Sequence, residues 1–144
     1  MPDLTKHGPR QRRRGTAPAL RDWDAFDPEQ LPAYRLARRH TRAVRALLEK
    51  ADTRGYSDLV NQIRRSAASI TGNIREGYGE ESPGRKAQYY GFAKGSVAET
   101  WGHVDNLVDF GCIEAADTGE VRNLQNQLIA LLWSMIKTQR SRTD

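Results

Sequence analysis

The chain has 144 residues, 38% hydrophobic and 28% charged, with a mean hydropathy of -0.76 and a formal net charge of +5. That length supports one domain with a real core, while the single cysteine, Cys112, excludes an internal disulfide framework and a Cys-rich zinc site. The longest apolar run, Leu128 to Trp133, is too short to span a bilayer, so a soluble cytoplasmic protein with no membrane partner is expected.

Charge and order separate along the chain. Residues 1–22 hold six basic and two acidic residues, including the run Arg12-Arg13-Arg14, with three prolines and little to bury. Such a segment cannot repay its ordering entropy, so residues 1–30 read as a basic tail, disordered or loosely docked through Trp23, Phe26 and Leu31. The remaining chain, with 17 basic and 16 acidic residues, is nearly neutral.

From Pro32 onward the apolar period is helical. The first segment, residues 33–51, places Tyr34, Ala37, Thr41, Val44 and Leu48 on one face, with Leu36 and Leu47 beside them, and Arg35, Arg38, Arg42 and Arg45 on a separate stripe. The second, residues 57–78, starts at Ser57 as N-cap and buries Leu59, Ile63, Ala67, Ile70 and Ile74, with Gly77 and Gly79 suited to a C-terminal cap. Ser82-Pro83 announces the third, residues 83–110. Its apolar period runs through Tyr89, Tyr90, Ala93, Val97, Trp101, Val104, Leu107 and Val108. Beside that period, Gly91, Gly95, Ala98 and Gly102 form a small-residue stripe, which suggests a backbone that passes close to something else. The fourth, residues 118–139, follows a capping-box-like start at Asp117 and Glu120. No stretch shows the alternation of a strand. Short connections between long helices predict an all-α, antiparallel up-down-up-down four-helix bundle over residues 31–144.

Two blocks make the second and third segments distinctive. Ile63 to Ile70 leads into Asn73-Ile74-Arg75-Glu76-Gly77-Tyr78-Gly79, and Phe92-Ala93-Lys94-Gly95-Ser96-Val97-Ala98-Glu99 follows. The paired blocks resemble a four-helix-bundle family of proteins encoded in intervening sequences of bacterial large-subunit ribosomal RNA genes. That family also holds the accessory variability determinant of diversity-generating retroelements. The resemblance covers residues 34–138. It implies a homopentameric ring and, for the retroelement members, a nucleic-acid-binding scaffold that partners a reverse transcriptase. Family members commonly carry proline near Thr71 and a small residue at Arg75, so this chain departs there.

The candidate phosphate contacts are Arg35, Arg38, Arg42 and Arg45 of the first helix with Arg64, Arg65 and Arg75 of the second. Guanidinium groups keep their charge and meet phosphate through paired donors, giving nonspecific contact with RNA or DNA. The competing reading is a solvated face paired with acidic neighbours or with a protein partner. Ser66, Ser69, Asn73 and Glu76 on one helix, with Ser96, Glu99 and His103 on the next, suggest a structural hydrogen-bond network, Gly77 and Gly95 belonging to the same motif. A catalytic trio of His103, Ser96 and Glu99 is disfavoured, because neighbours on one helix point the same way. Metal is equally disfavoured: Glu99 and His103 are one residue too far apart for a di-metal bundle motif, and His7 and His40 have no ligand spacing. No cofactor and no enzymatic activity are expected. For the aromatics Tyr78, Tyr89, Tyr90, Phe92, Trp101 and Trp133, stacking on nucleic-acid bases is one reading, and core or interface packing is favoured over it.

Overall fold

A computed structural model describes residues 26–143. Trp23 and the run Arg12-Arg13-Arg14 lie outside these residues. Four helices form an all-α bundle: α1 (Pro32–Lys50), α2 (Ser57–Gly79), α3 (Pro83–Asp109) and α4 (Gly119–Ser141). No strand occurs among the described residues.

Local chemistry sets most of the boundaries. Pro32 opens α1, where its missing N–H costs nothing. Gly55, at φ 84°, turns the chain toward α2, and the Asp52 carboxylate braces this turn by accepting from Arg54 Nε (2.9 Å) and Nη2 (2.7 Å). Those bonds hold the Asp52 pKa at about 2. Ser82 caps α3 by accepting from the Arg85 N–H at 3.1 Å, ahead of Pro83.

Three expected caps differ. Tyr56 rather than Ser57 is the N-cap of α2, and it offers no side-chain bond. Gly77 and Gly79 are helical rather than left-handed; positive φ occurs only at Gly55 and Gly111 among the described residues. The α2 end is satisfied instead by Lys86, whose ammonium donates to the carbonyls of Gly77 (3.1 Å) and Tyr78 (3.0 Å). Burial pushes that lysine's pKa down. Asp117 lies in a 3-10 turn, Ala115–Thr118, and pairs with Lys50 rather than capping α4.

The core has two apolar clusters. One holds Ala37, Ile70, Ile74, Val97, Leu128 and Leu132, and the other Val44, Ile63, Val104, Leu107 and Leu124. Between them in sequence, on all four helices, lie buried polar residues: His40, Ser66, Thr100 and Gln125. The buried face of α1 is rotated from its expected position. His40 and Ala43 are inside together with Leu47, whereas Thr41 is exposed and Leu48 half-buried. Phe26 packs against Tyr78 with ring centroids 5.4 Å apart, anchoring the entry to the bundle.

Candidate nucleic-acid interface

The arginines of α1 stand away from its buried face, because 3.6 residues per turn put Arg35, Arg38, Arg42 and Arg45 about 120–180° round the helix from the middle of the stripe formed by Ala37, His40, Val44 and Leu47. All seven candidate arginines are exposed, but their charges are not equally free. The 3-10 turn Pro28–Gln30 brings Glu29 to the start of α1, where its carboxylate pairs with Arg38 and its carbonyl accepts from Arg35 Nη1 at 2.6 Å. Arg45 pairs with Glu49 one turn along, at 3.0 Å. The Arg75 guanidinium lies 5.8 Å from the Tyr34 ring, bridging α2 to α1. Arg42, Arg64 and Arg65 have no ion-pair partner among the described residues.

A half-open groove of about 440 Å³ runs between α1 and α2. Val44, Leu48, Val60 and Ala67 line it, and Arg45 and Arg64 stand on its opposite walls. This face therefore brings Arg45 and Arg64 together, with Arg42 on the adjoining outer stripe. Arg65 does not join them. It lies 100° round α2 from Arg64, on the stripe of Ser69 and Glu76.

The polar motif between α2 and α3 forms two linked clusters. Ser69 Oγ and Ser96 Oγ are 2.9 Å apart, and Asn73 Nδ2 donates to the Ser69 carbonyl (2.9 Å) and hydroxyl (3.0 Å). Deeper in, Thr100 Oγ1 lies 2.8 Å from both Ser66 Oγ and the Ser96 carbonyl, and the Ser66 hydroxyl reaches the Ile63 carbonyl at 3.1 Å. Glu76 and Glu99 stay outside this network. Both are exposed, and Glu99 contacts only His103, at 3.4 Å, among the described residues. The glycine roles are also reversed. A Cβ on Gly77 would sit 2.6 Å from the Tyr90 ring, so the close approach is there. A Cβ on Gly95, Gly91 or Gly102 would meet nothing within 4 Å, because that stripe faces outward from α3.

Two arrangements escape a sequence reading. His40 is fully buried against Gln125, with ring and amide nitrogens 3.2 Å apart. Burial lowers its pKa to about 4. The second arrangement is the outer seam of α3 and α4, where aromatic rings and cations interleave. Trp133 is 44% exposed, with Lys94 Nζ 4.7 Å and Lys137 Nζ 5.8 Å from its ring centroid. Two turns from Lys94 along α3, Trp101 lies under the Arg122 guanidinium at 4.4 Å. Arg122 also donates to the Trp101 carbonyl at 2.9 Å and pairs with Asp105. The Trp133-Lys137 spacing of four residues was the available signal, since it places both side chains on one helix face.

Among the described residues, no group of three His, Cys, Asp or Glu side chains could hold a metal ion, and no helix is long and apolar enough to cross a membrane. The fold and its exposed cations define a helical bundle with two cation-bearing faces, one on α1–α2 and one on α3–α4. A family described as the 23S rRNA-intervening sequence protein matches residues 29–134, and the chain belongs to that family. No curated protein matches the chain.

Proposed function

We propose that this chain is a non-enzymatic, self-associating scaffold that binds the phosphate backbone of RNA or DNA, without base specificity, through the α1–α2 face. The observation that carries this reading is the presence of Arg42 and Arg64 on that face, exposed and without ion-pair partners among the described residues. Unneutralised guanidinium groups suit a polyanion, where each contact releases counterions from the nucleic acid. The family match is consistent with a nucleic-acid-related, non-enzymatic helical protein. Arg38 and Arg45 contribute less, because Glu29 and Glu49 already neutralise them. Homopentameric assembly belongs to the same proposal, with the open glycine stripe of α3 as a surface that admits close helix packing. A retroelement reverse transcriptase is the enzyme that such a scaffold would serve as an accessory.

The test is duplex affinity measured across salt concentration. Each phosphate contact contributes about 0.9 to the slope of log affinity against log salt, so Arg42→Gln and Arg64→Gln should each lower the slope by about that amount. A salt-independent affinity, or slopes unchanged in both variants, would overturn the reading. The ion pairs of Arg38 and Arg45 make the α1 stripe mixed in charge rather than purely cationic, which favours one alternative, a protein-interaction scaffold whose charged faces meet protein partners. That alternative predicts self-association with no retention of nucleic acid.

A further inference from the structure

The outer seam of α3 and α4 carries a different kind of site from the arginine face. Trp133 is a large aromatic ring left 44% exposed on a helix that buries Leu124, Leu128, Leu132 and Ile136 and half-buries Ile129, Leu131 and Met135. Two ammonium groups from two helices, Lys94 of α3 and Lys137 of α4, lie over its indole ring, and a stacking base would displace them from the ring onto its flanking phosphates. Arg140 follows Trp133 by seven residues, two helical turns, and so stands on the same stripe of α4. In the other direction along the seam, Trp101 and Arg122 form a second ring-and-cation pair, about 10 Å from the Lys94 level by the rise of seven α3 residues. Asp105 offsets one of these charges, that of Arg122.

We infer that this seam binds a single-stranded nucleic acid, with an unpaired base stacked on Trp133 and the flanking phosphates held by Lys94 and Lys137. The chemistry is specific to single strands. A base has a π-face whatever its identity, and an exposed indole offers the matching surface, but in a duplex those faces are occupied by neighbouring bases. Cations interleaved with the rings follow the backbone from one base to the next. Both lysines are close enough to the ring to guide a phosphate beside a stacked base, and neither has an ion-pair partner among the described residues. The inference rests on the reading of the protein as a nucleic-acid binder and extends it to a second face, on the opposite pair of helices, with its own strand preference.

The experiment uses the full chain and three probes: a short oligothymidylate, the matching abasic phosphodiester, and a duplex. Trp133→Ala should weaken oligothymidylate binding roughly 5- to 100-fold and leave the abasic strand and the duplex unchanged. Trp133→Phe, which keeps a ring, should retain most of the affinity. Lys94→Gln and Lys137→Gln should weaken both single strands alike, because their phosphates are the same. Helical circular dichroism and solution mass accompany every variant. The inference is overturned if Trp133→Ala leaves oligothymidylate affinity unchanged, if it weakens the abasic strand equally, or if it alters the solution mass, which would make the seam a contact between copies. Salt-sensitive duplex binding that persists while Trp133→Ala has no effect would sink this inference alone. Absence of binding to all three probes would sink the broader proposal with it.

Discussion

His40 makes the stability of the bundle depend on pH in a calculable way. Its ordinary pKa of 6.5 falls to about 4 in the folded chain because the imidazole is fully buried and a charge there has no water. The contact with Gln125 Nε2 requires the facing ring nitrogen to accept, so protonation would also set a donor against a donor. Between pH 6.5 and 4 the unfolded chain binds the proton and the folded chain does not. Stability is therefore full above pH 6.5 and falls as the pH drops toward 4. At 1.36 kcal/mol per pKa unit, the whole shift corresponds to about 3 kcal/mol, of which about 2 kcal/mol is lost by pH 5. That is a large part of a typical domain's 5–15 kcal/mol. The clean comparison is wild type against the double variant His40→Leu/Gln125→Leu, which removes the titrating group without stranding its amide partner. Urea unfolding at pH 7 and pH 5 should show wild type losing about 2 kcal/mol more than the variant, since the other titrations are common to both. Parallel losses in the two proteins would refute the assignment of a buried neutral imidazole.

Two substitutions probe the seam between α2 and α3. Gly77→Ala should destabilise the bundle by about 1–3 kcal/mol, seen as a lower urea midpoint, because the new methyl would lie 2.6 Å from the Tyr90 ring; an unchanged midpoint would show that the ring moves freely. Thr100→Val keeps the shape but removes the hydroxyl that links Ser66 to Ser96, and should cost about 1–3 kcal/mol in the same assay. A stability gain would instead mean that an apolar residue is preferred at this level of the core.

Much of the architecture was legible because helix punctuation is local. Ser82-Pro83 reads as a helix start from two residues, and the isoleucines of α2 mark its inner face directly. The phase of α3 was harder to read. Ser96 and Thr100 occupy core positions while Trp101 sits half outside, so the apolar pattern does not say which side the glycines face. Hence Gly95 was expected to permit a close approach that Gly77 in fact makes. His40 was hidden for a similar reason: a histidine among arginines reads as surface, and only its partner 85 residues away explains its burial. The arginine stripe was visible as a pattern. Its neutralisation by Glu29 was not, because that contact depends on the 3-10 turn before α1. The seam at Trp133 needed the register of α3 against α4, which no single segment contains.

The groove between α1 and α2 bears on what ties the first helix to the others. The contact of His40 with Gln125 spans 85 residues, and that of Ser66 with Thr100 spans 34. Loop-closure entropy grows only with the logarithm of that span, so closing α1 onto α4 costs about 0.8 kcal/mol more than closing the α2–α3 hairpin. Burial of Leu47 alone, at about 1.5–3 kcal/mol, offsets the difference. Distance along the chain is therefore a minor charge against α1. The larger one is the size of its side chains, since Ala33, Ala37 and Ala43 fill three of its seven buried positions. The cationic helix is held to its neighbours mainly by Tyr34, Val44 and Leu47, and those three residues set how firmly the arginines on its outer face are presented.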